Sequence, residues 1–212
     1  MKPILATTLS GLFIKSEPWK KAHVLWFERA AEELDDASVK DYANTDDYFK
    51  HVDEVMQRLY PELSDKERTI KAREMYFNSV YEYILINPRV VNKEVIQYFA
   101  SLKDKFRLAL VTTNAQKTLE KILSLKELSG LFDIIEASEM HEKDDKVVVF
   151  DRFVKRYGKP GMYIGGNRKD SFDYCKKNNI PCIFANLEAG KDLEGVETVH
   201  GLEELKEKIK GV

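Results

Sequence analysis

Apolar residues are spaced in two ways along this chain, and the change of spacing divides it. The run from Ile4 to Ile14 breaks at Gly11, and it reads as a buried strand delivering the small polar loop Thr8-Leu9-Ser10-Gly11. From Ser16 the recurrence becomes helical. Trp19, His23, Trp26, Phe27, Ala30 and Leu34 make one stripe, and Lys20, Lys21, Glu28, Glu32 and Glu33 fill the other face. Ser16 is the expected N-cap, Pro18 suits the first turn, and Asp35-Asp36-Ala37-Ser38 ends the helix. A second helical pattern carries Tyr48, Val52, Val55, Met56 and Leu59 and stops at Pro61. A third opens on the capping box Ser64-Asp65-Lys66-Glu67 and carries Ile70, Phe77, Val80, Tyr81 and Ile84. Residues 16–87 are therefore expected to form a helical insertion whose aromatic residues serve mainly helix packing.

Beyond Asn87-Pro88 short apolar runs alternate with amphipathic segments. Asn92 is placed to cap a helix containing Val95, Ile96, Phe99 and Leu102, followed by a strand from Phe106 to Val111 and a polar loop Thr112-Thr113-Asn114. The pattern then predicts a helix from Gln116 to Leu125, a strand from Phe132 to Ile135, a helix from Phe150 to Arg156 and a strand from Gly161 to Ile164. A third polar loop spans Gly165 to Asp170. A helix from Ser171 to Lys177, a strand from Cys182 to Ala185, an edge strand from Glu197 to Val199 and a helix from Leu202 to Ile209 complete the series. Strands separated by helices imply a parallel sheet, with ligands expected beyond the carboxyl ends of its strands.

Composition narrows this little. A chain of 212 residues, 43% of them hydrophobic, suffices for one α/β domain carrying an insertion. With 34 basic and 36 acidic residues the net charge is −2, which favours neither nucleic acid nor an anionic membrane. No apolar run approaches the roughly 20 residues of a spanning helix, and the start reads as a strand, so a cytoplasmic protein is expected. Cys175 and Cys182 have no metal-ligand spacing and read as buried reduced thiols. No histidine and cysteine cluster has zinc spacing, and His141, just past a strand end, is the one histidine placed near a site.

Taken together, the three loops resemble the motifs of the haloacid dehalogenase-like (HAD) superfamily of phosphatases and related hydrolases, over nearly the whole chain. That family opens on Asp-x-Asp-Gly-Thr/Val-Leu, and Thr8-Leu9-Ser10-Gly11-Leu12-Phe13 lies over it without a gap. The resemblance implies a three-layer α/β/α Rossmann-like parallel sheet in residues 1–15 and 88–212, with an all-helical cap in 16–87. It implies that Thr113 and Asn114 stand at the phosphate-binding position, and that the family's lysine is Lys143 or Lys146. It places Gly166 and Asp170 at the two metal-binding aspartates of the fourth motif, Gly165-Gly166-Asn167-Arg168-Lys169-Asp170.

The departures from the family pattern lie where its chemistry is carried. Thr8 stands for the nucleophilic aspartate, Ser10 for the acid/base aspartate and Gly166 for a metal-binding one, so of four expected acids only Asp170 remains. A threonine hydroxyl has no resting charge to hold Mg²⁺, and no base stands beside it in the loop to activate it. The resemblance thus implies a non-catalytic binding or regulatory member without a cofactor, engaging a phosphorylated small molecule or a protein partner. The alternative is an active phosphoester hydrolase with atypical motifs, which would use Mg²⁺. Hydroxyls of Thr8, Ser10 and Thr113, the lysine, Arg168 or Lys169 and the amides after Asn114 are the donors such a pocket would offer an anion. Turn chemistry alone also accounts for small polar residues at strand ends. The aromatic cap could instead serve as a protein-binding or dimerisation surface.

Overall fold

The computed structural model describes residues 2–45, 48–166 and 168–210; of the residues singled out above, Asn167 and the side chain of Tyr48 fall outside this set. Strand β1 (Ile4–Thr7) is followed by three helices, α1 (Glu17–Glu33), α2 (Tyr48–Leu59) and α3 (Asp65–Ile86). Next come α4 (Lys93–Ser101), β2 (Arg107–Ala115), α5 (Gln116–Leu123), β3 (Ile134–Ser138), α6 (Lys146–Tyr157) and β4 (Met162–Gly165). Helix α7 (Lys169–Lys177), strands β5 (Cys182–Ala185) and β6 (Glu197–Val199), and helix α8 (Leu202–Lys210) close the chain. The six strands form one sheet in the order β3-β2-β1-β4-β5-β6, every pair parallel.

Strand alternation explains the two cores. Side chains of successive strand residues point to opposite faces, so an apolar run in a central strand must feed both. Leu5, Leu108, Leu110, Met162 and Ile164 meet α4, α5 and α8 through Val95, Phe99, Leu119, Ile122 and Leu205. On the opposite face Ala6, Ala109, Val111 and Tyr163 meet Val149, Phe150 and Phe153 of α6 and Phe172 and Cys175 of α7. Helices α1–α3 keep a core of their own, Trp26, Phe27, Ala30, Val55, Met56 and Ala72, and join the sheet's first core through Ala22, Phe77, Val80 and Ile84. This is a Rossmann-like α/β sheet under a helical cap, as the loop motifs implied.

Several boundaries differ from the sequence expectation, each for a local reason. Ser16 makes no side-chain cap; its amide instead donates to the Glu188 carboxylate at 2.8 Å. Asn92 stands at the N-cap of α4 as expected, but its side chain makes no cap bond and instead donates to the Leu12 carbonyl at 2.7 Å, fastening α4 to the first loop. The segment after α1 is not a plain stop but a 3₁₀-helix over Ala37–Asn44, started by the Asp36 carboxylate accepting from the Ser38 amide. Thr112-Thr113-Asn114 continues β2 instead of leaving it, with an irregular register between Thr112 and Ala115. Helix α6 starts four residues before the apolar pattern suggested, because Asp145 accepts from the amides of Val147 and Val148. The Ser64–Glu67 capping box is present in both directions.

Candidate functional site

The loops after β1, β2, β3 and β4 all leave the sheet at its carboxyl end. Gly11, at φ 77°, lets the first loop turn tightly enough for its amide to donate to the Ile14 carbonyl at 2.7 Å. The fourth loop comes against it backbone to backbone. A β-carbon added at Gly166 would stand 2.4 Å from the Ser10 carbonyl oxygen and 3.1 Å from the Gly11 α-carbon. Thr8, Ser10 and Gly166 therefore lie at one end of the sheet, as the motif order required.

The centre of this end belongs to Arg168. Its Nε lies 2.9 Å from both oxygens of Asp170, and its Nη1 donates to Thr113 Oγ1 at 2.9 Å and to Asp144 Oδ1 at 2.7 Å. Burial works against the guanidinium charge, but Asp170 and Asp144 outweigh it and raise the Arg168 pKa above its ordinary value. The fork geometry of a guanidinium suits this bridging of two carboxylates and a hydroxyl. Sequence reasoning counted Arg168 only among donors for an external anion; the arginine two residues before Asp170, in the same loop, was the available signal. Asp144 carried no signal beyond a polar run.

Of the two candidate lysines the structure brings Lys146 to the site and leaves Lys143 exposed at the surface. Lys146, 2% exposed in the first turn of α6, donates to the Val111 carbonyl of β2. Burial, and next the Arg168 charge, lower its pKa to about 7, with Asp170 and Asp144 opposing. Beside it the ring of Tyr163 lies across Gly165, where an added β-carbon would come within 2.7 Å of the ring. Ser171 and Thr8 lie near the Tyr163 hydroxyl and pull its pKa down, an effect that burial outweighs. Burial raises the Tyr163 pKa, keeping the phenol protonated.

The cap closes over this end from above. Arg73 of α3 donates through Nη2 to the Thr113 carbonyl at 2.8 Å and through Nη1 to the Glu142 carbonyl at 2.6 Å. Its Nε is buried without a partner, and burial lowers the pKa of the group. Asn114, expected to bind phosphate, accepts from the indole of Trp19 at 3.1 Å, and the Trp19 carbonyl accepts from the Tyr76 hydroxyl at 3.1 Å. At the rim Lys117 pairs with Glu74 at 3.0 Å and Lys121 donates to Asn78 at 2.9 Å. Nothing in the sequence marked Arg73 or Trp19 apart from helical periodicity. His141 is exposed beside Glu139 and takes no part; His23 is half-buried in the cap, where burial lowers its pKa.

The donor set does not fit a hard divalent ion. Such an ion selects carboxylate oxygens, and the positions singled out by the loop motifs, Thr8, Ser10, Gly166 and Asp170, supply two hydroxyls, a glycine and one carboxylate already held by Arg168. Among the described residues no group of three His, Cys, Asp or Glu side chains is arranged to hold a metal. Nor is any described helix long and apolar enough to cross a membrane.

No family model and no curated protein matches the sequence. Solved structures do. The chain is similar to a HAD phosphatase from Thermococcus onnurineus at 16% identity and a TM-score of 0.66, covering 100% of this chain and 99% of that one. A predicted phosphatase from Clostridium acetobutylicum matches at 17% identity, 100% of both chains and a TM-score of 0.66. Protein Tyrosine Kinase A of Mycobacterium tuberculosis matches at 17% identity, 100% and 99% coverage and a TM-score of 0.62. The fold is that of the HAD-like phosphatases.

Proposed function

We propose that this chain is a non-catalytic HAD-fold protein that acts as a binding or regulatory module for a protein partner. The observation that supports this reading is the Arg168 bridge between Asp170, Asp144 and Thr113. Arg168 is fixed by two carboxylates, so a phosphate taken up by it would have to displace one of them. This weighs against a phosphorylated small molecule and in favour of a protein partner. Thr8, the residue at the nucleophile position, faces a phenol and no base, and Asp170 is committed to the guanidinium. Neither the covalent step nor the proton transfer of the family's usual chemistry has a residue to perform it.

The reading is tested by a broad phosphoester hydrolysis screen with Mg²⁺ on highly purified protein, with Asp170→Ala as control. No turnover above the control is expected. Turnover abolished by Asp170→Ala would overturn the proposal and restore the hydrolase alternative. Calorimetry with inorganic phosphate is expected to give no heat of binding; saturable binding would favour a phosphorylated ligand.

A further inference from the structure

Two carboxylates of the strand-end site meet a cation that belongs to the chain itself. Arg168 stands at the N-cap position of α7 with an extended backbone, makes no cap bond, and turns its side chain back onto Asp170 in the first turn of that helix. A guanidinium carries five N–H groups in a planar fork. Here each nitrogen has oxygens enough to accept from all of its hydrogens. Nε lies 2.9 Å from both oxygens of Asp170, Nη1 donates to Thr113 Oγ1 at 2.9 Å and to Asp144 Oδ1 at 2.7 Å, and Nη2 reaches the Asp144 carbonyl at 3.2 Å and Asp170 Oδ2 at 2.9 Å. The acceptors come from the end of β2, the turn before α6 and the first turn of α7, so three separate segments converge on one flat group.

We propose that Arg168 is the resident cation of this site: its guanidinium neutralises Asp170 and Asp144 in the place a divalent ion would take, so the site is complete without metal. The spacing of the oxygens decides between the two kinds of cation. Mg²⁺ requires oxygens about 2.0–2.1 Å from one centre in a near-octahedral shell, and Ca²⁺ about 2.3–2.6 Å. The oxygens here are ranged 2.7–3.2 Å from three different nitrogens, and they outline a fork instead of a point. Charge agrees with shape. Burial lowers the Arg73 pKa while the charges of Asp144 and Glu142 hold it up, which puts a second guanidinium within reach of Asp144. Lys146 beside them is pushed toward its neutral form, by burial and next by Arg168. A divalent ion would therefore add positive charge to a set that is already supplied. The proposal shares with the non-catalytic reading only the commitment of Asp170 to Arg168, and ion binding and turnover are measured separately.

Calorimetric titration of the full chain with MgCl₂ and with MnCl₂ is expected to give no saturable heat; saturable binding that Asp170→Asn abolishes would overturn the proposal. Arg168→Ala vacates the fork and is expected to melt at a lower temperature. Methylguanidinium chloride at about 50 mM, where its denaturing action is small, is expected to restore at least half of that loss, and MgCl₂ or NaCl of equal ionic strength is not. The unmutated chain, whose fork is filled, is expected to gain nothing from methylguanidinium. Recovery of the variant with MgCl₂ would show a place shaped for a metal ion, and no recovery with methylguanidinium would show that the cation is dispensable; either result overturns the proposal. If the variant does not fold, the titration of the unmutated chain decides alone.

Discussion

The buried amine of Lys146 makes the folding free energy depend on pH in a way that one substitution isolates. The unfolded chain keeps the ordinary pKa of 10.5, and the folded chain lowers it to about 7. Between those values the unfolded state carries the extra proton, so raising the pH favours folding; below about pH 7 both states are protonated and the full penalty of burying the charge remains. At roughly 1.4 kcal/mol per pH unit, and with half the folded molecules already neutral at pH 7, the gain from pH 6 to pH 9 comes to about 2–3 kcal/mol. Lys146→Met keeps the volume and removes the titration. It also strips the Val111 carbonyl of a donor, but that loss is the same at every pH, so the slope and not the absolute stability is the readout. Denaturant unfolding of both proteins at pH 6, 7, 8 and 9 should show the wild type gaining on the variant by about 2–3 kcal/mol across the range. Parallel profiles would refute the reasoning, because they would mean that Lys146 keeps its charge on folding.

The remaining predictions concern the packing of the site. Gly166→Ala drives a β-carbon into the Ser10 carbonyl and should cost about 1–3 kcal/mol, read as a melting temperature lowered by several degrees; an unshifted melt would contradict the backbone contact. Arg168→Ala leaves Asp170 and Asp144, both about a third exposed, without their cation, and about 1–2 kcal/mol should be lost in denaturant unfolding at pH 7. Arg168→Lys should not recover that loss, since a single ammonium cannot span the same partners; full recovery would show that charge alone matters. Arg73→Leu should raise deuterium uptake in α1 and α3 while β1, β2 and β4 stay protected, and equal uptake would show that the cap is held by its apolar contacts without the guanidinium.

The layers of the fold were legible because each rests on local periodicity. Leu108-Ala109-Leu110-Val111 alternates between two cores, and Trp26, Phe27 and Ala30 recur at helical spacing, so neighbours in sequence were enough to place them. The meeting of the first loop, at Ser10 and Gly11, with Gly166 was legible too, since parallel strands present their carboxyl ends together. What could not be read was the content of the site. Arg168 joins residues 24 and 55 positions away, Arg73 joins residues 40 and 69 positions away, and no local pattern encodes such pairs. Ser16 and Asn92 stand at the N-cap positions of α1 and α4, as their residue types suggested, but neither side chain makes the cap bond, and the Asn92 side chain goes instead to Leu12, a partner supplied by distant chain.

Across to the sheet Arg73 hydrogen-bonds two backbone oxygens, while its guanidinium lies over the Phe77 ring of its own helix, which sets apart the genetics of the cap from the genetics of the site. Every residue type at positions 113 and 142 presents the same carbonyl, so the chemistry displayed beneath the cap is free to drift while the clamp keeps its grip. Saturation mutagenesis at Thr113 should therefore yield variants that differ in what the site displays and share one cap position. Only changes at position 73 itself would couple the two.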